Sequence, residues 1–206
     1  MFGIVSISKN FVPVFFGAGY DKVTSIIYIL SPMVLLMGLA NVLGTQYLLP
    51  LKKQKEYTFS VTIGVIVNFI LNYILITLYQ SIGAAIATVL SQIVVDALQY
   101  NHVKKEITLK ELLNLCSKYV ISAVVMFALC FCVRCILNTN PITQTIFNLA
   151  TNMQLNKEYL FNIVSIIFQV GVGAITYIVM LIVLKDEYIY KFIDKMKSRF
   201  LKKKTV

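Results

Sequence analysis

Five long apolar stretches follow one another along the chain, at residues 23–49, 57–78, 82–103, 119–137 and 159–184. Three carry no Asp, Glu, Lys or Arg; the third holds Asp96 and the fourth Arg134. Each reaches the length of about 20 residues that an α-helix needs to cross a hydrocarbon core about 30 Å thick. Membrane-spanning strands would be shorter and would alternate polar with apolar positions, which these stretches do not. Residues 1–16 are apolar apart from Lys9 and Asn10 and are too short to span alone, so they read as the end of a helix that begins upstream. The pattern predicts an all-α fold: a polytopic membrane helix bundle over 1–184, with about six transmembrane helices, followed by a basic cytoplasmic tail at 185–206.

Polar residues inside such stretches recur at helical spacing. Gly38, Asn41 and Thr45 share a face in the second helix, with Gln46 beside it; Ser60, Gly64, Asn68 and Asn72 do so in the third. Thr88, Gln92, Asp96 and Gln99 follow in the fourth, and Asn162, Ser165, Gln169, Gly173 and Thr176 in the sixth. A polar group in hydrocarbon costs free energy unless something satisfies it, so these faces should turn inward. Packing between helices accounts for the stripe of the sixth helix and for Gly83-Ala84-Ala85-Ala87, where small residues permit close approach. For Asn68, Asn72, Gln92 and Asp96, packing and a wet cavity stand side by side as readings. Asp96, the one acid well inside a stretch, is a candidate for ion binding or protonation, or else a carboxylate that reaches water or a lysine of the next loop. The candidate substrate path is therefore Asn41, Gln46, Asn68, Asn72, Gln92 and Asp96, with no catalytic group, no metal ligand and no cofactor. Pro32 should kink the second helix, because it lacks the amide hydrogen and crowds the preceding turn.

Composition agrees with the pattern. The chain is 58% hydrophobic and 14% charged, against about 25% charged residues in an ordinary soluble domain. The formal charge of +10 lies between the apolar stretches rather than on a folded face, so it points to topology and not to nucleic acid. Lys52, Lys53 and Lys55 fall in one connection, Lys104, Lys105, Lys110 and Lys118 in another, and Lys185, Lys191, Lys195, Lys197, Arg199, Lys202, Lys203 and Lys204 in the tail. The alternate connections hold only Lys22 and Lys157. Basic residues mark the cytoplasmic side, which places the tail inside the cell.

Three further segments carry signals of their own. Thr108-Leu109-Lys110-Glu111 matches a capping box opening a surface helix. Ile142, Ile146, Leu149 and Met153 after Pro141 suit an interfacial helix on the outer side. Ile189, Phe192, Ile193, Met196 and Phe200 form an apolar stripe among lysines, suited to anionic headgroups. Cys130, Cys132 and Cys135 lack ligand or CxxC spacing and read, with Cys116, as buried apolar thiols.

Residues 15–100 resemble the second half of bacterial polysaccharide flippases, the O-antigen type of the superfamily that also holds the multidrug and toxic compound extruders. The resemblance lies in Phe16-Gly17-Ala18-Gly19-Tyr20 after a helix, in Gly44-Thr45-Gln46-Tyr47-Leu48-Leu49-Pro50 running into Lys52 to Lys55, in Asn68 with Leu71-Asn72, and in Ile82-Gly83-Ala84-Ala85-Ile86-Ala87-Thr88. It implies a carboxyl-terminal part of a machine of about fourteen helices in two lobes: most of the second lobe plus two further helices. Such a machine carries a lipid-linked oligosaccharide across the inner membrane by alternating access. It also implies a missing amino-terminal half as partner. Where the family often places a Glu after the Gly-Ala-Ala turn, this sequence has Gln92, and the membrane stretches offer a pyrophosphate only Lys9 and Arg134. The substrate is then held mainly through its sugars, or the other half supplies the positive charge. Two other functions compete: an ion-coupled drug exporter of the same superfamily with Asp96 as coupling acid, and a membrane-embedded polymerase or glycosyltransferase. The latter should show acids, arginines or histidines on sizeable loops, yet His102 is the one histidine and loop 138–158 holds one Lys and one Glu.

Overall fold

A computed structural model describes residues 1–17, 19–104, 109–137 and 157–184; within the helices, the side chains of 109–116, 118, 134, 137 and 157 lie outside that description. The elements are α1 (Phe2–Phe15), α2 (Asp21–Leu30), α3 (Met33–Ala40), a π-helical segment (Asn41–Leu48), α4 (Gln54–Val103), α5 (Leu109–Leu137) and α6 (Lys157–Val183). Among the described residues there is no strand. Asp21–Leu48, Gln54–Val103 and Glu158–Val183 are long and apolar enough to cross a membrane, and Phe2–Phe15 and Tyr119–Val133 are shorter apolar helices. This is a polytopic helical membrane bundle, as the hydrophobic pattern predicts. The capping box at 108–111, the interfacial segment 142–153 and the basic tail lie outside the described residues or side chains.

The burial pattern inverts that of a water-soluble fold. Among the described residues, more polar side chains than apolar ones are fully buried, while Phe69, Tyr73, Phe15 and Leu78 stand exposed. In α1, Ser6, Ser8 and Asn10 are buried together with Val12, while Ile4 is exposed. The chain divides into two compact units, residues 1–112 and 113–206.

In the first unit, α1 turns into α2 through Gly17 and Gly19, both at positive φ (87° and 94°), which a side chain would strain. The kink expected at Pro32 separates α2 from α3. Proline leaves the carbonyl of Tyr28 without its helical donor, and the buried Ser31 hydroxyl donates to that oxygen at 2.9 Å. The chain then opens into the π-helical segment, where the amide of Leu49 bonds the carbonyl of Gly44, five residues back, at 3.1 Å. That wider turn brings Leu48 round to the side of Leu43, whereas α-helical geometry would set residues five apart about 140° from each other. Both leucines are fully buried with Val103.

Helix α4 is a hairpin of two arms, residues 54–79 and 81–103, reversed at Gln80 (φ 54°, ψ −129°). The arms are about 39 and 34 Å long at 1.5 Å per residue, so each crosses a bilayer. Glycine sets their approach. A methyl on Gly64 would stand 2.1 Å from Val95 Cγ2, and one on Gly83 2.0 Å from the Leu75 carbonyl oxygen. The small residues around Gly83 are thus packing residues, with Ala85 and Ala87 also buried. The hairpin puts Lys53 and Lys55 at the same end as Lys104.

In the second unit, Asn162, Ser165, Gln169 and Gly173 are the buried stripe of α6. Cys130 of α5 donates its thiol to the Gln169 carbonyl at 3.5 Å, and a methyl on Gly173 would meet its Sγ at 3.2 Å. This stripe is a helix contact. Cys130 is buried as expected, but Cys132 and Cys135 are exposed on the outside of α5. There the apolar surroundings that suit a thiol come from lipid rather than protein.

Candidate functional site

Within the first unit, an open cleft of about 500 Å³ lies between the helix 33–48 and the two arms of α4. One wall carries Met33, Met37, Asn41 and Thr45; the first arm gives Tyr57 and Asn68; the second gives Thr88, Ser91, Gln92 and Gln99. Among the described residues, no Lys, Arg, Asp or Glu lines it. It combines amide and hydroxyl groups with thioether and aromatic surface, the mixture that binds a neutral polar ligand with apolar faces.

Asn41 reaches this wall because the π-helical turn lets it face α4 while Leu43 and Leu48 stay buried behind it. The Thr45 hydroxyl donates to the Asn41 carbonyl at 2.6 Å and also contacts the Asn41 side-chain oxygen. Gln46 is exposed on the flank, next to the wall rather than on it.

Asn68 stands at the centre of a hydrogen-bonded chain that ties the arms together. The Asn72 amide donates to Asn68 Oδ1 at 2.9 Å, the Asn68 amide to Ser91 Oγ at 3.0 Å, and the Ser91 hydroxyl to the Thr88 carbonyl at 2.9 Å. Asn68 lines the cleft and Asn72 does not; Asn72 orients its neighbour by occupying one of its acceptor sites.

Gln92 also lines the cleft, and its Nε2 donates to Asp96 Oδ1 at 3.0 Å. Asp96 itself is 5% exposed and is absent from the cleft wall. Among the described residues its Oδ2 meets no hydrogen-bond donor; the side chains of Lys105, Lys110 and Lys118, which follow α4, lie outside that description. One turn on, Gln99 is 1% exposed, lines the cleft, and likewise has an oxygen, Oε1, without a donor.

Of the six candidates, the structure therefore gathers Asn41, Asn68 and Gln92 on one cavity and sets Asn72 and Asp96 behind them as partners. The sequence reading missed Ser91, Tyr57, Met33 and Met37. Ser91 lies three residues from Thr88 on the face already marked as polar, so the signal for it was present. The methionines carried none, since apolar residues crowd every face of that helix. Lys9 is exposed and lines no part of the cleft, and the side chain of Arg134 lies outside the described residues.

No protein-family model matches the chain. No solved structure matches it. Over 88 residues it is 31% identical to a protein of Escherichia coli strain K12 named "Putative O-antigen transporter". That stretch is 43% of this chain and 21% of the relative, so the match spans about a fifth of the relative's length.

Proposed function

We propose that this chain is the carboxyl-terminal part of a flippase, of the multidrug and oligosaccharide exporter superfamily. It moves lipid-linked oligosaccharide or polysaccharide precursors across the bacterial inner membrane by alternating access, and its tail faces the cytoplasm. The observation that carries the reading is the neutral cleft: a membrane bundle that lines a cavity with Asn41, Asn68, Gln92 and Gln99 and, among the described residues, with no charge. Amides offer both donors and acceptors to sugar hydroxyls, and Met37 and Tyr57 offer surface to the apolar faces of sugar rings. A pyrophosphate finds no cation there among the described residues, so in this reading the sugars dock on this chain and the anionic end of the substrate is held elsewhere. Transport of this kind involves no covalent step. The likeness to the O-antigen transporter supports the substrate class.

The test is made in the native host with Asn68→Ala and Gln92→Ala combined, reading surface polysaccharide and the lipid-linked precursor. The expected result is less polysaccharide outside and precursor accumulated within. Unchanged surface polysaccharide at normal protein level contradicts the proposal.

One observation favours a second reading, the ion-coupled exporter. A buried carboxylate with one oxygen unmatched among the described residues suits a coupling site. Asp96→Asn separates the two: lost ion dependence of drug efflux supports the exporter, and retained surface polysaccharide supports the flippase.

A further inference from the structure

The helix that forms one wall of the cleft is wound in two ways. Residues 33–40 are α-helical and residues 41–48 bond five residues back. Over those eight residues the wider winding lags an α-helix by about one residue, or roughly 100° of rotation. The facing of Met37 and Asn41 relative to Leu48 therefore depends on which winding the segment adopts.

We propose that residues 41–48 are a register switch. Closing the segment to α-helical bonding turns the upstream helix about its own axis and carries Met37 and Asn41 out of the cleft, while Leu48 stays anchored beside Val103. Three observations support it. At Gly38 a methyl would meet nothing within 4 Å, so the side of the upstream helix at that position has no neighbour to oppose a turn. The rotation moves Leu43 from core to lipid, which loses packing contacts but incurs little transfer cost, because lipid tails are as apolar as leucine. A latch holds the open winding: Gly44 sits so close to the arms of α4 that a methyl would stand 2.6 Å from the Tyr57 ring and 3.1 Å from Gln99 Nε2. The inference rests on the cleft being the occupied site, but register is measurable without any substrate.

Two variants push in opposite directions. Gly44→Ala places a methyl against Tyr57 in the observed register and so favours the closed one. Deleting Gln46 removes the surplus residue, which leaves Leu43 and Leu48 four apart and lets an α-helix keep the observed facing permanently. The experiment uses the full chain in lipid nanodiscs, with the four native cysteines replaced by alanine and nitroxide labels at Met37 and Val65. Electron–electron double resonance reads the distance between them. Gly44→Ala should raise a second distance population by at least about fivefold, and deletion of Gln46 should leave the first alone. Coincident distributions in parent, Gly44→Ala and the deletion overturn the switch. Should Gly44→Ala fail to fold, parent against deletion still decides it: a parent with no population that the deletion removes is contrary to the proposal. Either outcome leaves the polysaccharide measurement in the host untouched, so the two readings fail separately.

Discussion

The two units use the same sequence device for different ends. In residues 1–112, Asn68, Ser91, Gln92 and Gln99 on the closely packed arms of α4 border a cleft that the helix 33–48 bounds on its other side, and Asn68 bonds side chain to side chain with Asn72 of its own arm and Ser91 of the other. In the second unit, an equally regular stripe on α6 is closed against α5, with Gly173 and the Gln169 carbonyl resting on Cys130. Periodicity alone says which face turns inward. Whether that face ends wet or dry depends on what stands opposite it: a third element held back by its own side chains, or a helix that a glycine admits to contact.

The largest expected break in this contrast comes at the hairpin. Gly83→Val puts side-chain carbon into the Leu75 carbonyl, already 2.0 Å from a bare methyl, and should cost about 3 kcal/mol or more of stability. The thermal midpoint of the detergent-solubilised chain would fall steeply, and the cleft would go with the arms that form it.

Next comes Asn68→Leu, which strands the Asn72 amide and removes the donor to Ser91. Bonds of this kind contribute about 0.6 kcal/mol on average inside membranes, with a maximum near 1.7. Stability should therefore drop by roughly 1 kcal/mol, while surface polysaccharide drops several-fold, because the cleft loses an amide it presents to the substrate. Equal, small losses in both readouts would mean that Asn68 only packs.

The smallest effects sharpen the dry side. Gly173→Ala meets Cys130 Sγ at 3.2 Å, and Gly171→Ala meets nothing within 4 Å. The first should destabilise by about 1 kcal/mol, and the second should be neutral or stabilising by up to about 1 kcal/mol from helix propensity. A thermal-shift comparison of the pair reads the difference directly; the opposite order would show that α6 does not rest on α5 at Gly173.

Much of this was legible in the chain. Among the described residues, each long apolar stretch falls on an apolar helix, Pro32 gave the break between α2 and α3, and Gly83 with its alanines gave the close approach of the arms. The reversal at Gln80 was readable as a connection too short for anything but a hairpin. The π-helical turn was not readable, because leucine, valine and tyrosine suit any face of a helix in lipid and hide a change of winding. For the same reason Gln46 looked like a wall residue and Met37 did not. Asp96 and Gln99 were visible as polar, but that Asp96 Oδ2 and Gln99 Oε1 meet no donor among the described residues depends on neighbours from other elements, which spacing cannot supply.

The contrast between a wet stripe and a dry one can be measured in the membrane. In a cysteine-free background of the full chain, single cysteines at Asn41, Gln92 and Ser165 are exposed to a charged, membrane-impermeant thiol reagent. Positions 41 and 92 should react at least about tenfold faster than 165, because a charged reagent enters a hydrated cleft and not a packed helix contact. If all three are protected alike, or 165 reacts as fast as the others, the cleft is not a water-filled path and the transport reading built on it does not stand.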